Sequence, residues 1–282
     1  MKIMIRYGDG PMAGNGHRVR MQRLAKVLGQ RGAEVNIRSA NFVEMLDSLK
    51  RTPYDVLVMD VPENNNRELE AYRPHIEKLA VIVGAGHAVD TETTWIADAV
   101  VYQHMGHGRR AWRAPGGKVV GGPDWLLVDP ASRDWRRPRS EIGSELLVYF
   151  GAGFADDYQK ACLHELVKHL GPAAIVPTGS DGTWREQWAR RAAEARLVLA
   201  SQGMAIYEAL AVNTPVVSVS IDEEHAQDAE ASILIDHAGM YADIDPEHLT
   251  QVAVDKYGQI TKRPSSPIDC AGVYRLARLL LE

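Results

Sequence analysis

The chain has 282 residues, of which 45% are hydrophobic and 24% charged, and its net charge is −5 with histidine neutral. That balance excludes disordered and fibrous classes and leaves enough chain for one large core or two moderate ones. The mild acidity gives no global footprint for nucleic acid, so no nucleic-acid partner is expected. No apolar run reaches the roughly 18 residues of a membrane span, so no integral membrane association is expected either. The opening Met1 to Arg6 turns polar too soon for a signal peptide and reads as a first strand. Cys162 and Cys270 lack a Cys-x-x-Cys partner, which argues for reduced thiols, no zinc site and a cytoplasmic location.

In chain order, Ile3 to Ile5 is an apolar run, followed by Met21, Leu24, Ala25 and Leu28 at helical spacing. Further strands are predicted at Val35 to Ile37, Val56 to Asp60, Leu79 to Val83, Ala99 to Tyr102 and Lys118 to Val120. This alternation predicts a parallel sheet covered by helices on both faces. The polar segment from Asp129 to Ser140 carries two prolines and neither period, and reads as an interdomain linker. The pattern then restarts with a strand at Leu146 to Phe150 and a helix at Tyr158 to Leu170. Ile175-Val176, Leu197 to Ala200 and Val216 to Val219 are further strands, with a helix beginning near Met204. The expected fold is therefore α/β: two Rossmann-like domains, residues 1–130 and 145–282, joined by a linker at 131–144, with a ligand held between them. The last helix, Val273 to Leu281, is amphipathic and suited to packing back on the first domain.

Two segments carry chemistry. After the first strand comes Gly14-Asn15-Gly16-His17, opening a helix that reads Arg18 to Gln30. Its glycines allow close backbone approach to a ligand, and the helix start attracts anions. A neutral His17 there can act as general base on water or a hydroxyl, the alternative being a local capping or packing histidine. Asp9 can orient His17 or bind a sugar hydroxyl, or be an ordinary turn aspartate. Arg20, one turn beyond His17, can meet a phosphate or carboxylate, or be a solvated surface arginine. No full dinucleotide fingerprint is present, so no nicotinamide cofactor is expected, and no other cofactor is called for.

The second segment is Ser201-Gln202-Gly203-Met204, a strand-to-helix turn offering amides to an anion such as a diphosphate. Glu208, about one and a half turns on, can accept both hydroxyls of a ribose, or be a surface helix charge. Asp222 to Gln227, with His225 and Gln227, follows a strand and suits contacts to a sugar, as do Gly151 and Gly153; Gly122 closes the first domain's last strand. His104-x-x-His107 with His87 lacks a nearby carboxylate cluster, so no metal is expected there. The clusters Arg109 to Arg113 and Trp135 to Arg137 fit solvated surface better than phosphate, lipid or RNA contacts.

The segments Gly14-Asn15-Gly16-His17-Arg18-Val19-Arg20, Gly122-Pro123-Asp124-Trp125, Val148 to Gly153 and Ser201-Gln202-Gly203 with Tyr207-Glu208 span nearly the whole chain. Together they resemble the UDP-sugar hydrolases of pseudaminic acid biosynthesis and the related spore-coat polysaccharide proteins, described as predicted glycosyltransferases. The resemblance implies a GT-B architecture with the nucleotide held mainly by the second domain. It also implies a metal-free reaction in which His17 activates water against the anomeric carbon. This chain departs from the family at Gly8, where an aspartate is usual, at Gly203-Met204-Ala205 in place of Gly-Ser-Thr, at Gly84 to His87 and at His225-Ala226-Gln227. Hydrolysis of a nucleotide sugar is the leading expectation. Glycosyl transfer to an acceptor, with peripheral membrane contact if that acceptor is a lipid, is the alternative, and a catalytically silent nucleotide-sugar binder is the third.

Overall fold

The computed structural model describes residues 1–8, 16–62, 65–84, 96–105, 114–151, 154–177 and 187–282. The chain divides into two units: Met1–Leu127 with Ala271–Glu282, and Val128–Cys270.

The first unit is built on six parallel strands: β1 (Lys2–Tyr7), β2 (Glu34–Arg38), β3 (Tyr54–Asp60), β4 (Ile76–Val83), β5 (Ala99–Tyr102) and β6 (Lys118–Val120), ordered β2-β1-β3-β4-β5-β6. Successive strand side chains point to opposite faces. Ile3 and Ile5 therefore join Val56, Val58, Ala80 and Ile82 on one face, while Met4 joins Leu57, Met59, Leu79 and Val81 on the other. The first face is covered by α1 (Gly16–Gln30), through Met21, Leu24 and Leu28, and by a helix at the chain's end. The second is covered by α2 (Phe42–Arg51) and α3 (Asn66–Tyr72), through Met45, Leu49, Leu69 and Tyr72. Asn41 starts α2 with a reciprocal capping box to Glu44.

Five parallel strands form the second unit's sheet: β7 (Leu146–Tyr149), β8 (Ile175–Pro177), β9 (Leu197–Ser201), β10 (Val216–Ser220) and β11 (Ile235–Met240), ordered β11-β10-β9-β7-β8. Around it stand α4 (Asp156–Leu170), α5 (Trp188–Glu194), α6 (Met204–Ala211), α7 (Glu223–Glu230) and α8 (Pro246–Gln259). Cys162 and Leu166 of α4 and Leu249 and Ala253 of α8 pack on Leu146, Val148, Leu197, Leu199, Val217 and Val219. The segment read as a linker falls inside this unit. Its Pro130–Trp135 stretch forms a 3-10 turn packed on α5 and α6, and Arg190 stacks on the Trp135 ring. Arg136 is engaged by the Ala211 carbonyl at 2.7 Å.

The helix α9 (Gly272–Leu281) returns to the first unit, burying Val273, Leu276, Ala277 and Leu280 in the face shared with α1. Its entry depends on Gly272, because a Cβ there would run into the Leu126 carbonyl and lie 2.8 Å from the Trp125 carbonyl carbon. Gly272→Ala is therefore expected to destabilise the first unit by about 1–3 kcal/mol through overpacking, seen as a lowered thermal midpoint. An unchanged midpoint would show that this approach is not a tight constraint.

Candidate functional site

The carboxyl ends of β1, β3 and β4 meet the first turn of α1. The register pairs Tyr7 with Asp60, and the Gly8 amide donates to the Asp60 carbonyl at 2.8 Å. This places the Asp60 side chain beside His17 and Arg20, which lie three residues apart on the inner face of α1. The His17 Nδ1 is 2.8 Å from Asp60 Oδ1 and 3.2 Å from the Asp60 carbonyl oxygen. Arg20 donates from Nε to Oδ2 at 2.7 Å and from Nη2 to Oδ1 at 2.5 Å, gripping the carboxylate with two bonds. Asp60 is fully buried, and His17 and Arg20 are 9% and 5% exposed.

Burial by itself pushes the Asp60 carboxyl up, but the charge and hydrogen bonds of Arg20 and His17 outweigh it. The group lies well below the usual carboxylate range and is ionised. An ionised Oδ1 can only accept, so a hydrogen bond at 2.8 Å calls for a proton on Nδ1, while Arg20 Nη2, itself a donor, lies 3.1 Å from the same nitrogen. A ring held by a buried carboxylate can exchange a proton at its other nitrogen.

In the second unit the carboxyl ends of β7 and β9 stand together. The Gly151 amide donates to the Ser201 hydroxyl at 3.1 Å, and β9 runs through Gln202 and Gly203 into α6. Among the described residues no side chain caps the start of α6, and Gly203 adopts φ 147°, a region that disfavours any residue with a Cβ. Gln202 donates from Nε2 to Asp228 Oδ2 at 2.8 Å, and the Tyr207 hydroxyl bonds the same oxygen, so a buried carboxylate on α7 braces this turn. Glu208 is 6% exposed, which excludes a solvated surface charge. His225 Nδ1 lies 2.7 Å from Asp222 Oδ1, whereas Gln227 is exposed and bonds Glu223 at 3.2 Å. Asp222 is pushed up by burial and pulled down further by His225, for a net lowering.

Gly16 and His17 open α1, and Met204 opens α6. Gly122 precedes the 3-10 turn Pro123–Trp125 of the first unit. Asp9, Gly14, Asn15 and Gly153 lie outside the described residues, as do His87, His107 and the Arg109 to Arg113 cluster. Among the described residues, no group of three His, Cys, Asp or Glu side chains stands close enough to hold a metal ion. Among them also, no helix is long and apolar enough to cross a membrane. Sequence reasoning missed Asp60 as the partner of His17. The available signal was an acid ending the buried strand Val56 to Asp60, at the sheet edge where ligands bind.

No family model and no curated protein sequence matches the chain. Solved structures do match over its whole length. MurG of Acinetobacter baumannii superposes with a TM-score of 0.61 at 13% identity, covering 99% of each chain. A Listeria monocytogenes protein assigned as a UDP-N-acetylglucosamine 2-epimerase gives 0.54 at 10% identity, over 98% of this chain and 94% of that one. The spinosyn forosaminyltransferase SpnP gives 0.52 at 11% identity, with both chains fully covered. This is the GT-B fold. The two parallel α/β units expected from the sequence are present, and none of these three neighbours is named as a hydrolase.

Proposed function

We propose that this protein is an enzyme that moves a sugar from a nucleoside diphosphate, most simply UDP, to an acceptor hydroxyl. The observation that carries the proposal is the buried pair in which Asp60 holds His17 by Nδ1 at 2.8 Å. In the proposed step, His17 Nε2 takes the hydroxyl proton as the acceptor oxygen bonds the anomeric carbon. The bond from that carbon to the diphosphate oxygen breaks, and its electron pair leaves with the diphosphate. In the second unit the start of α6 is suited to a diphosphate, because backbone amides and the helix dipole stabilise anions without a metal. Buried Glu208, one and a half turns along α6, is assigned to the ribose hydroxyls.

One structural neighbour is named as a transferase and another as an epimerase of a UDP-sugar, which supports transfer of a nucleotide-linked sugar. Hydrolysis is the second reading, favoured by the resemblance of the segment from Gly14 to Arg20 to the UDP-sugar hydrolases. Both use the same base and differ only in whose proton it takes.

Acceptor dependence separates them. A panel of nucleotide sugars is offered alone and with alcohol, oligosaccharide or lipid-linked acceptors, and nucleoside diphosphate release is followed. Transfer predicts slow release alone, acceleration by one acceptor class and sugar on that acceptor. Full-rate release without acceptor would replace transfer with hydrolysis, and UDP binding without any release would leave a silent binder.

A further inference from the structure

We infer that Arg20 is a positioning residue for His17, and not a ligand of the nucleotide phosphates. This rests on the proposed role of His17 as base and adds a residue to it. The inference comes from how the guanidinium is held. Its Nε and Nη2 both bond Asp60, at 2.7 and 2.5 Å, and the residue is 5% exposed. Its remaining edge lies against Gly84 at the end of β4, where a Cβ would stand 3.2 Å from Nη2 and 3.4 Å from Nη1. A side chain at position 84 would therefore crowd the Arg20 guanidinium.

The consequence is electrostatic. A buried carboxylate facing a lone histidine favours a proton on that ring, because the two charges then cancel. Here the cancelling charge is already supplied by Arg20, fixed on both carboxylate oxygens. With a neutral ring the trio has no net charge, whereas a protonated ring would give it one uncompensated positive charge in a buried setting. Asp60 therefore orients His17 through Nδ1 while its own charge is matched by Arg20. The charged groups that the described structure brings against the ring are Asp60 of β3 and Arg20 of α1.

The test uses the full chain and reads His17 directly, by the NMR shifts of its ring nitrogens across pH, beside UDP binding and the pH dependence of turnover. Arg20→Met is expected to move the proton-uptake midpoint of His17 and the acid limb of turnover up by about 1–3 pH units. UDP affinity is expected to stay within about twofold, because this variant removes no proposed phosphate contact. Arg20→Lys keeps the charge and is expected to titrate near the unsubstituted protein, with lowered turnover from the lost two-bond grip. It also answers the question if the methionine variant does not fold. Gly84→Ala, which removes no charged group, is expected to shift the midpoint upward by a smaller amount. An unmoved midpoint in Arg20→Met would overturn the inference, as would a tenfold or larger loss of UDP affinity. The NMR reading requires no substrate, so an absence of nucleotide-sugar turnover would remove the proposed function while still deciding the role of Arg20.

Discussion

Replacing His17 with alanine is expected to lower turnover of the nucleotide sugar by about 10²–10⁴-fold, the usual contribution of a positioned general base. The binding of UDP should be unchanged, because the proposed nucleotide contacts lie at the start of α6 and not on α1. Asp60→Asn tests the same geometry from the other side. The asparagine keeps the size of the side chain but loses the charge that fixes Nδ1–H and pairs with Arg20. It is expected to lose activity on the same scale and to lower stability as well, since Arg20 is left buried without its counter-charge. The stability loss should disappear in strong acid. A carboxyl depressed in the folded state contributes above its unfolded value of about 3.9, and that contribution fades as pH falls toward the lower folded value. Steady-state kinetics and calorimetry on the two variants check this. A His17→Ala protein with ordinary turnover would remove the base from the proposed reaction.

The largest stability effect is expected at Arg263, a buried arginine that ties together three stretches of the second unit. Its Nη2 donates to the Ala193 and Ala195 carbonyls at 2.8 and 3.0 Å, its Nη1 to the Thr214 hydroxyl at 2.7 Å, and its Nε to the Glu141 carbonyl. The residue is 2% exposed, and Ala193, Ala195 and Thr214 are buried with it. Arg263→Met retains much of the packing volume but leaves those acceptors without donors. Each buried unpaired acceptor costs about 1–3 kcal/mol, so a total of about 3–5 kcal/mol is expected. Against a typical folding stability of about 5–15 kcal/mol, that removes much of the unit's margin. Denaturant unfolding should show a lowered midpoint for this variant, with Arg263→Lys nearly as damaging because an ammonium cannot reach four acceptors from one position. A change below about 1 kcal/mol would mean that the acceptors find other donors or water.

The strands were legible because parallel sheets bury both faces, which forces continuous apolar runs such as Val56 to Met59 and Leu197 to Ala200. The edge strand β11 was not legible. Ile235-Asp236-His237-Ala238-Gly239-Met240 mixes charge and glycine into a strand paired on one side only, so neither period shows. The site was legible in its residues but not in its pairings. His17 followed from a glycine-flanked helix start, yet its partner was sought in Asp9, near in sequence. Among the described residues the carboxylate on His17 is Asp60, 43 residues away, which arrives through the β1–β3 register that no local pattern encodes. For Arg20 the sequence leaves open a phosphate, a carboxylate or solvent, and the same register supplies the Asp60 carboxylate. Burial along α6 rules out a solvated surface charge at Glu208. Ile206 to Ala211 is apolar apart from Tyr207 and Glu208, and α6 is buried along that whole stretch, which carries the carboxylate inside.

Hydrogen exchange of the full chain with and without saturating UDP tests the account most directly, because it reads both whether the nucleotide binds and where. Slowed exchange is predicted for the amides of residues 202–208, from the turn after β9 through the first turn of α6. Full-length protein that binds no UDP at millimolar concentration, or that gains protection only outside Val128–Cys270, would contradict the assignment of that helix start to a nucleoside diphosphate.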